Sequence, residues 1–135
     1  MTDPRLPRAV ALSQGVGLQV VDYVVSSMSG AADATGTILI EWPQIPGGQL
    51  WRVERIMAVP TTNQTVEIGV YGGSTTPGAL LDWGQLAAGT FGVAEYPQPV
   101  TVQSNSSLTV QVTGAESGDL LTVNVQYALV QKVAA

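Results

Sequence analysis

Ten carboxylates, five cationic side chains, and neither histidine nor cysteine define the chemistry open to this chain. Without histidine there is no Ser-His-Asp triad, no imidazole base and no histidine-held zinc or iron. Without cysteine there is no thiolate nucleophile, disulfide framework or cysteine metal cluster. What is left is carboxylate chemistry. Glycoside hydrolysis takes two acids about 5–10 Å apart across a cleft, and the available candidates are Glu41, Glu54, Glu67, Asp82 and Glu95. Each falls on an expected solvent face or turn, where a single acid is ordinary surface. A non-enzymatic role is therefore expected.

Two acidic loops could bind a hard cation: SGAADATG with Asp33, and GAESGD with Glu116 and Asp119. Calcium takes about six to eight oxygens. These loops offer one or two carboxylates each, which suits local backbone hydrogen bonds better than a metal. No metal and no cofactor are expected. The glycine-rich pieces GVG and GGSTTPG are not phosphate loops, since the first precedes a strand and no Lys-Ser/Thr follows the second. Among the aromatics, Trp42 and Trp51 alternate with Ile and Val and belong to the core. Trp83 in LLDWGQL and Tyr71 beside YGG find no place inside, which makes them the candidates for a ligand or partner surface.

Positioning such groups falls to β-structure. The 135 residues are one domain's worth, enough to bury roughly 65–70% of the unfolded chain's surface. With 45% hydrophobic and only 11% charged residues, the composition excludes disorder. Thr, Ser, Gln, Asn and Gly must build the polar surface, and they suit exposed strand faces and turns. The net charge is −5 and Lys132 is the only lysine, so no basic cluster exists for nucleic acid. Charge is unevenly placed. Residues 1–17 hold Asp3, Arg5 and Arg8, a net of +1, while residues 18–135 carry −6. No apolar run reaches the roughly 18 residues of a spanning helix. MTDPRLPRAVALSQ lacks the apolar core of a signal peptide. Synthesis in a cytoplasm and no membrane partner are the expectations.

The spacing of Pro4, Pro7, Gly15 and Gly17 makes residues 1–17 an extended arm ahead of a single domain, residues 18–135. Alternation then marks the strands. Val21, Tyr23 and Val25 share a face, as do Ile38, Ile40 and Trp42. Trp51 and Val53 share another, but the apolar set shifts to Ile56 and Ala58, which predicts a bulge near Glu54-Arg55. Val66, Ile68 and Val70 point inward, with Thr65, Glu67 and Tyr71 outward. ALLDWGQLAAG fits a short strand or a helical turn equally, and VAEYPQPVTVQ bends at Pro97 and Pro99. Leu108, Val110 and Val112 line one face. Leu121, Val123, Val125, Tyr127 and Leu129 line the last. Residues 47–73 read as one hairpin, and GAESGD as the turn of another. About eight short strands without a helix over two turns predict an all-β antiparallel sandwich of jelly-roll type. The alternative, an immunoglobulin-like sandwich, lacks its Cys-Trp-Cys signature.

Three stretches, GGQLWRVERIMAV, TVEIGVYGGSTTPGALLDWG and SLTVQVTGAESGDLLTVNVQYALV, carry a resemblance covering most of residues 36–131. They resemble the small head decoration (cement) proteins and other accessory structural proteins of tailed bacteriophages. The resemblance implies a non-enzymatic virion protein, made in the host cytoplasm, that binds the outer surface of a capsid and stabilises the shell. It implies the major capsid protein as partner and a homo-oligomer, with a trimer favoured. Arg5 and Arg8 on the arm are then candidates for docking onto an acidic shell or a neighbouring copy, with Tyr71 and Trp83 as further partner-binding candidates. Tail and baseplate proteins share the same look. A carbohydrate-binding or adhesion module is the rival, and it expects Trp83 and Tyr71 to line one open face.

Overall fold

The computed structural model describes residues 16–134, with side chains for residues 17–132. Among the described residues eight strands carry the fold: β1 Val16–Ala31, β2 Ile38–Glu41, β3 Gln49–Pro60, β4 Val66–Gly72, β5 Leu80–Leu86, β6 Gly92–Val102, β7 Leu108–Thr113 and β8 Leu120–Ala134. A 3-10 turn over Pro77–Ala79 leads into β5. ALLDWGQLAAG, which alternation left open, is thus a strand preceded by a turn.

The strands form two antiparallel four-stranded sheets, ordered β1-β8-β3-β6 and β2-β7-β4-β5. This order is a jelly roll, two interleaved Greek keys wrapped into a sandwich. Only β4 and β5 are consecutive in sequence and paired. Every other connection crosses from one sheet to the other. Both expected hairpins are therefore corrected. β3 lies in the first sheet and β4 in the second, and β7 and β8 are likewise separated. Two strands whose apolar faces meet across a core alternate in the same way as two strands side by side, so the pattern does not distinguish them.

The core lies between the sheets. Ile38 and Ile40 from β2, with Trp42 just after it, meet Leu108, Val110 and Val112 from β7 and Leu121, Val123 and Val125 from β8. Trp51 stacks on Tyr127 with ring centroids 3.9 Å apart, and the Trp42 indole N–H donates to Ser26 Oγ at 3.0 Å. Both tryptophans are buried, as their alternation requires. β3 is bulged between Val53 and Arg55 against both its neighbours. That extra residue turns Ile56 and Ala58 back to the core.

In β1 the face expected for Val21, Tyr23 and Val25 is kept by Tyr23 and Val25, while Val21 falls in a bulge. Val21, Tyr23 and Val25 are exposed, and the core-facing side carries Val24 and Met28. A bulge between Val20 and Asp22 changes the parity of the strand. Val20 pairs with Val130 and Tyr23 with Ala128, so Leu18, Val20, Tyr23 and Val25 all project from the outward face of the first sheet. Val21 is the inserted residue. Apolar alternation marks a shared face without stating whether that face is the inside.

Candidate functional site

Sheet two turns its outward face to solvent, and β4 places Glu67, Gly69 and Tyr71 there. Gly69 pairs with Trp83 on β5 and Gln111 on β7. The absence of a side chain at Gly69 lets the Tyr71 ring lean back over it. A methyl group built there would sit 2.8 Å from the Tyr71 ring edge and hydroxyl. Trp83 stands beside it, 55% exposed. The two aromatics that found no place inside thus share one open face around Gly69, with Glu67, Gln85 and Gln111 as polar neighbours. Two aromatics on one face, bordered by amide and carboxylate groups, can stack an apolar ring face and hydrogen-bond its edges. Arg5 and Arg8, the other expected partner-binding residues, lie outside the described residues.

Behind this platform the sandwich is incompletely filled. Gly84, Ala94 and Ala58 face the space between β5 and β6, too small to fill it, while Leu86 reaches across against Gly92. A cleft of about 250 Å³ remains, floored by Ile56, Ile68 and Val70. At its end the Tyr96 hydroxyl donates to Asp82 Oδ2 at 2.6 Å, and the Trp83 backbone N–H donates to Asp82 Oδ1 at 2.8 Å. Burial, and then the bond to the Asp82 carboxylate, pushes the Tyr96 phenol far above its ordinary range. Sequence reasoning took Asp82 as a surface acid. Its inward parity on β5, in register with Val70, was the available signal. The small residues at 84 and 94 were the signal for the cleft.

The two acidic loops meet at the end of the sandwich, where Ala32 and Ala115 donate backbone N–H groups to Asp119 and Gly36 carbonyls. The Asp33 and Asp119 carboxylates are engaged locally. Asp33 Oδ1 accepts from the Thr35 and Thr37 backbone N–H groups at 2.9 and 3.0 Å, and from the Thr35 hydroxyl. These bonds, led by the Thr35 hydroxyl, hold its carboxyl below the usual range. Asp119 Oδ2 accepts from the Glu116 backbone N–H at 2.9 Å. Among the described residues no group of three or more His, Cys, Asp or Glu is arranged to hold a metal ion. Nor is any helix there long and apolar enough to cross a membrane.

The outward face of the first sheet is of a different kind. Leu18, Val20, Tyr23 and Val25 of β1 form an exposed strip, with Tyr23 71% and Val25 65% exposed. Beside it Leu50, Ala128 and Val130 form a small buried cluster of their own.

No family model matches this chain, and no curated protein matches it. Solved structures similar to it include the coat protein of tobacco streak virus, 10% identical over 98% of this chain and 92% of that one, with a TM-score of 0.49. Another is the K3 adhesin domain of Lys-gingipain from Porphyromonas gingivalis, 12% identical over 76% and 71% of the two chains, with a TM-score of 0.42. A third is the virus-like particle of the extra small virus of the prawn Macrobrachium rosenbergii, 12% identical over 94% and 86%, with a TM-score of 0.37. Likeness at this level carries no argument about function. The jelly-roll assignment rests on this chain's own strand order, an architecture shared by viral capsid and lectin domains.

Proposed function

We propose that this chain is a non-enzymatic structural protein of a virus particle, which binds the outer surface of a phage capsid and stabilises the shell as a decoration protein. The observation that carries the reading is the outward strip Leu18, Val20, Tyr23 and Val25 beside the Leu50, Ala128 and Val130 cluster. Contiguous exposed apolar surface of this kind marks contact surfaces more often than bare solvent faces. The major capsid protein is the proposed partner, and the chain acts as a homo-oligomer, for which the family resemblance favours a trimer. Many copies bound only to the assembled shell favour that shell by mass action. Arg5 and Arg8 supply positive charge for an acidic surface. Removing residues 1–15, which leaves β1 entire, should weaken capsid attachment without unfolding the domain.

Quantitative mass spectrometry of purified virions tests the reading directly. Abundance at a sizeable fraction of the major capsid protein is the expected result. A few copies per particle would move the protein to tail or baseplate, and complete absence would end the virion reading.

A specific observation favours one rival, a carbohydrate-binding or adhesion module: Tyr71 and Trp83 share an open face around Gly69. That reading expects Trp83→Ala to abolish glycan binding while the thermal transition stays in place. A flat glycan array with the unaltered protein removes it.

A further inference from the structure

The two sheets have four edges, and three of them are protected. β2 is four residues long and runs into Pro43. β6 contains Pro97 and Pro99, and between Glu95 and Val100 it leaves its β3 partner. β5 is seven residues long and slips register against β4 beside Val70. Short strands, prolines and irregular pairing are the devices that keep a sheet edge from pairing with another chain.

β1 carries little of this. It spans 16 residues without proline, lysine or arginine, and Asp22 is its one charged residue. Its bulge lies at the Val20–Asp22 step, so Asp22–Ala31 runs in unbroken register with β8. Among the described residues no strand pairs with its other edge. Seven residues of this regular edge, Asp22–Met28, offer about six to eight backbone hydrogen bonds to an antiparallel partner, within the range an ordinary interface carries.

We propose that β1 is a self-association edge: the Asp22–Met28 segments of two copies pair antiparallel about a two-fold axis at Val25, joining two first sheets into one eight-stranded sheet. The occupant is a second copy because an antiparallel edge is complementary to itself under a two-fold rotation. The side chains agree. On the outward face Tyr23, Val25 and Ser27 of one copy would meet the same set of the other, apolar and hydroxyl groups without like charges in opposition. The two exposed strips would merge into one apolar surface about twice as wide. The inference goes beyond the capsid reading and does not depend on it. It replaces the trimer implied by resemblance with an isologous dimer.

Sedimentation velocity of the full chain over a concentration series tests it without any virion. The expected species is a dimer. Val25→Lys, at an exposed position that leaves the domain's core untouched, should weaken association by about 100-fold through like-charge opposition at the axis, with an unchanged thermal transition. Val93→Lys, on the same face but on β6, should leave the dimer intact. The chain has no native cysteine, so Tyr23→Cys, Val25→Cys and Ser27→Cys can be oxidised singly. Val25→Cys should form an intermolecular disulfide most efficiently, since only a residue at the axis meets its own counterpart. A monomer at every concentration, a trimer, a dimer indifferent to Val25→Lys, or cross-linking at none of the three positions would each overturn the proposal.

Discussion

Tyr96 and Asp82 tie the two sheets together where the core is thinnest. Tyr96→Phe should cost about 1 kcal/mol at neutral pH, the net worth of one hydrogen bond, with Asp82 still accepting from the Trp83 amide. Because the folded-state pKa of Tyr96 is raised, the folded protein keeps this proton where the unfolded chain loses it. Its stabilising contribution is complete below the unfolded value of about 10 and is lost as pH rises beyond it. Denaturant titrations should therefore show a shallower alkaline decline for Tyr96→Phe than for the unaltered protein. Gly84 offers the opposite case. A Cβ there meets nothing within 4 Å and the backbone is not left-handed. Gly84→Val should fill part of the cleft and raise stability by about 0.5–1.5 kcal/mol, read as a higher Tm.

Several residue positions were legible beforehand because burial and alternation agree there. Trp42, Trp51, Leu108 and Val123 sit where a period of two places them. Tyr71 and Trp83 were legible only as aromatics without a place inside. Their meeting depends on β4–β5 register and on the bare backbone of Gly69, which no local pattern records. Asp82 was misplaced because an acid among turn residues looks like surface until its cross-sheet partner is known.

At the scale of the element, β3 and β1 teach opposite lessons. The β3 bulge was readable because the apolar set visibly changes parity between Val53 and Ile56. Deleting Glu54 should be tolerated, since Val53, Arg55 and Ile56 would then alternate without interruption and both halves would keep their faces. Deleting Arg52 should not be tolerated, because it turns Trp51 away from its stack on Tyr127. Circular dichroism and soluble yield of the two deletions check this: a folded Arg52 deletion, or an unfolded Glu54 deletion, would refute the account. In β1 the bulge inserts an apolar residue, Val21, into an apolar run, so parity changes without any visible break. Which face is inside is then decided by pairing with β8, far away in sequence.

At the scale of the whole molecule, among the described residues only the β4–β5 pairing is local, and every other ladder there joins strands distant in sequence. All-β topologies of this kind fold in roughly milliseconds to seconds, because loop closure must precede the contacts that reward it. Stopped-flow refolding followed by Trp51 and Trp42 fluorescence should give a main phase in that range, and a microsecond main phase would contradict the topology. The same feature explains why fold class was legible and strand order was not. Alternation and turn spacing are local, whereas the choice between a hairpin and a crossing is made by the assembled core.

The position of β8 has a consequence for how the protein is made. It is the last of the described strands, and it lies between β1 and β3. Until it has left the ribosome, the first strand has no neighbour in its sheet, and its long apolar edge waits unpaired. Growing chains on one messenger would then present the same open strand to one another. Nascent copies, held close by the polysome, would meet through β1 before either domain is complete.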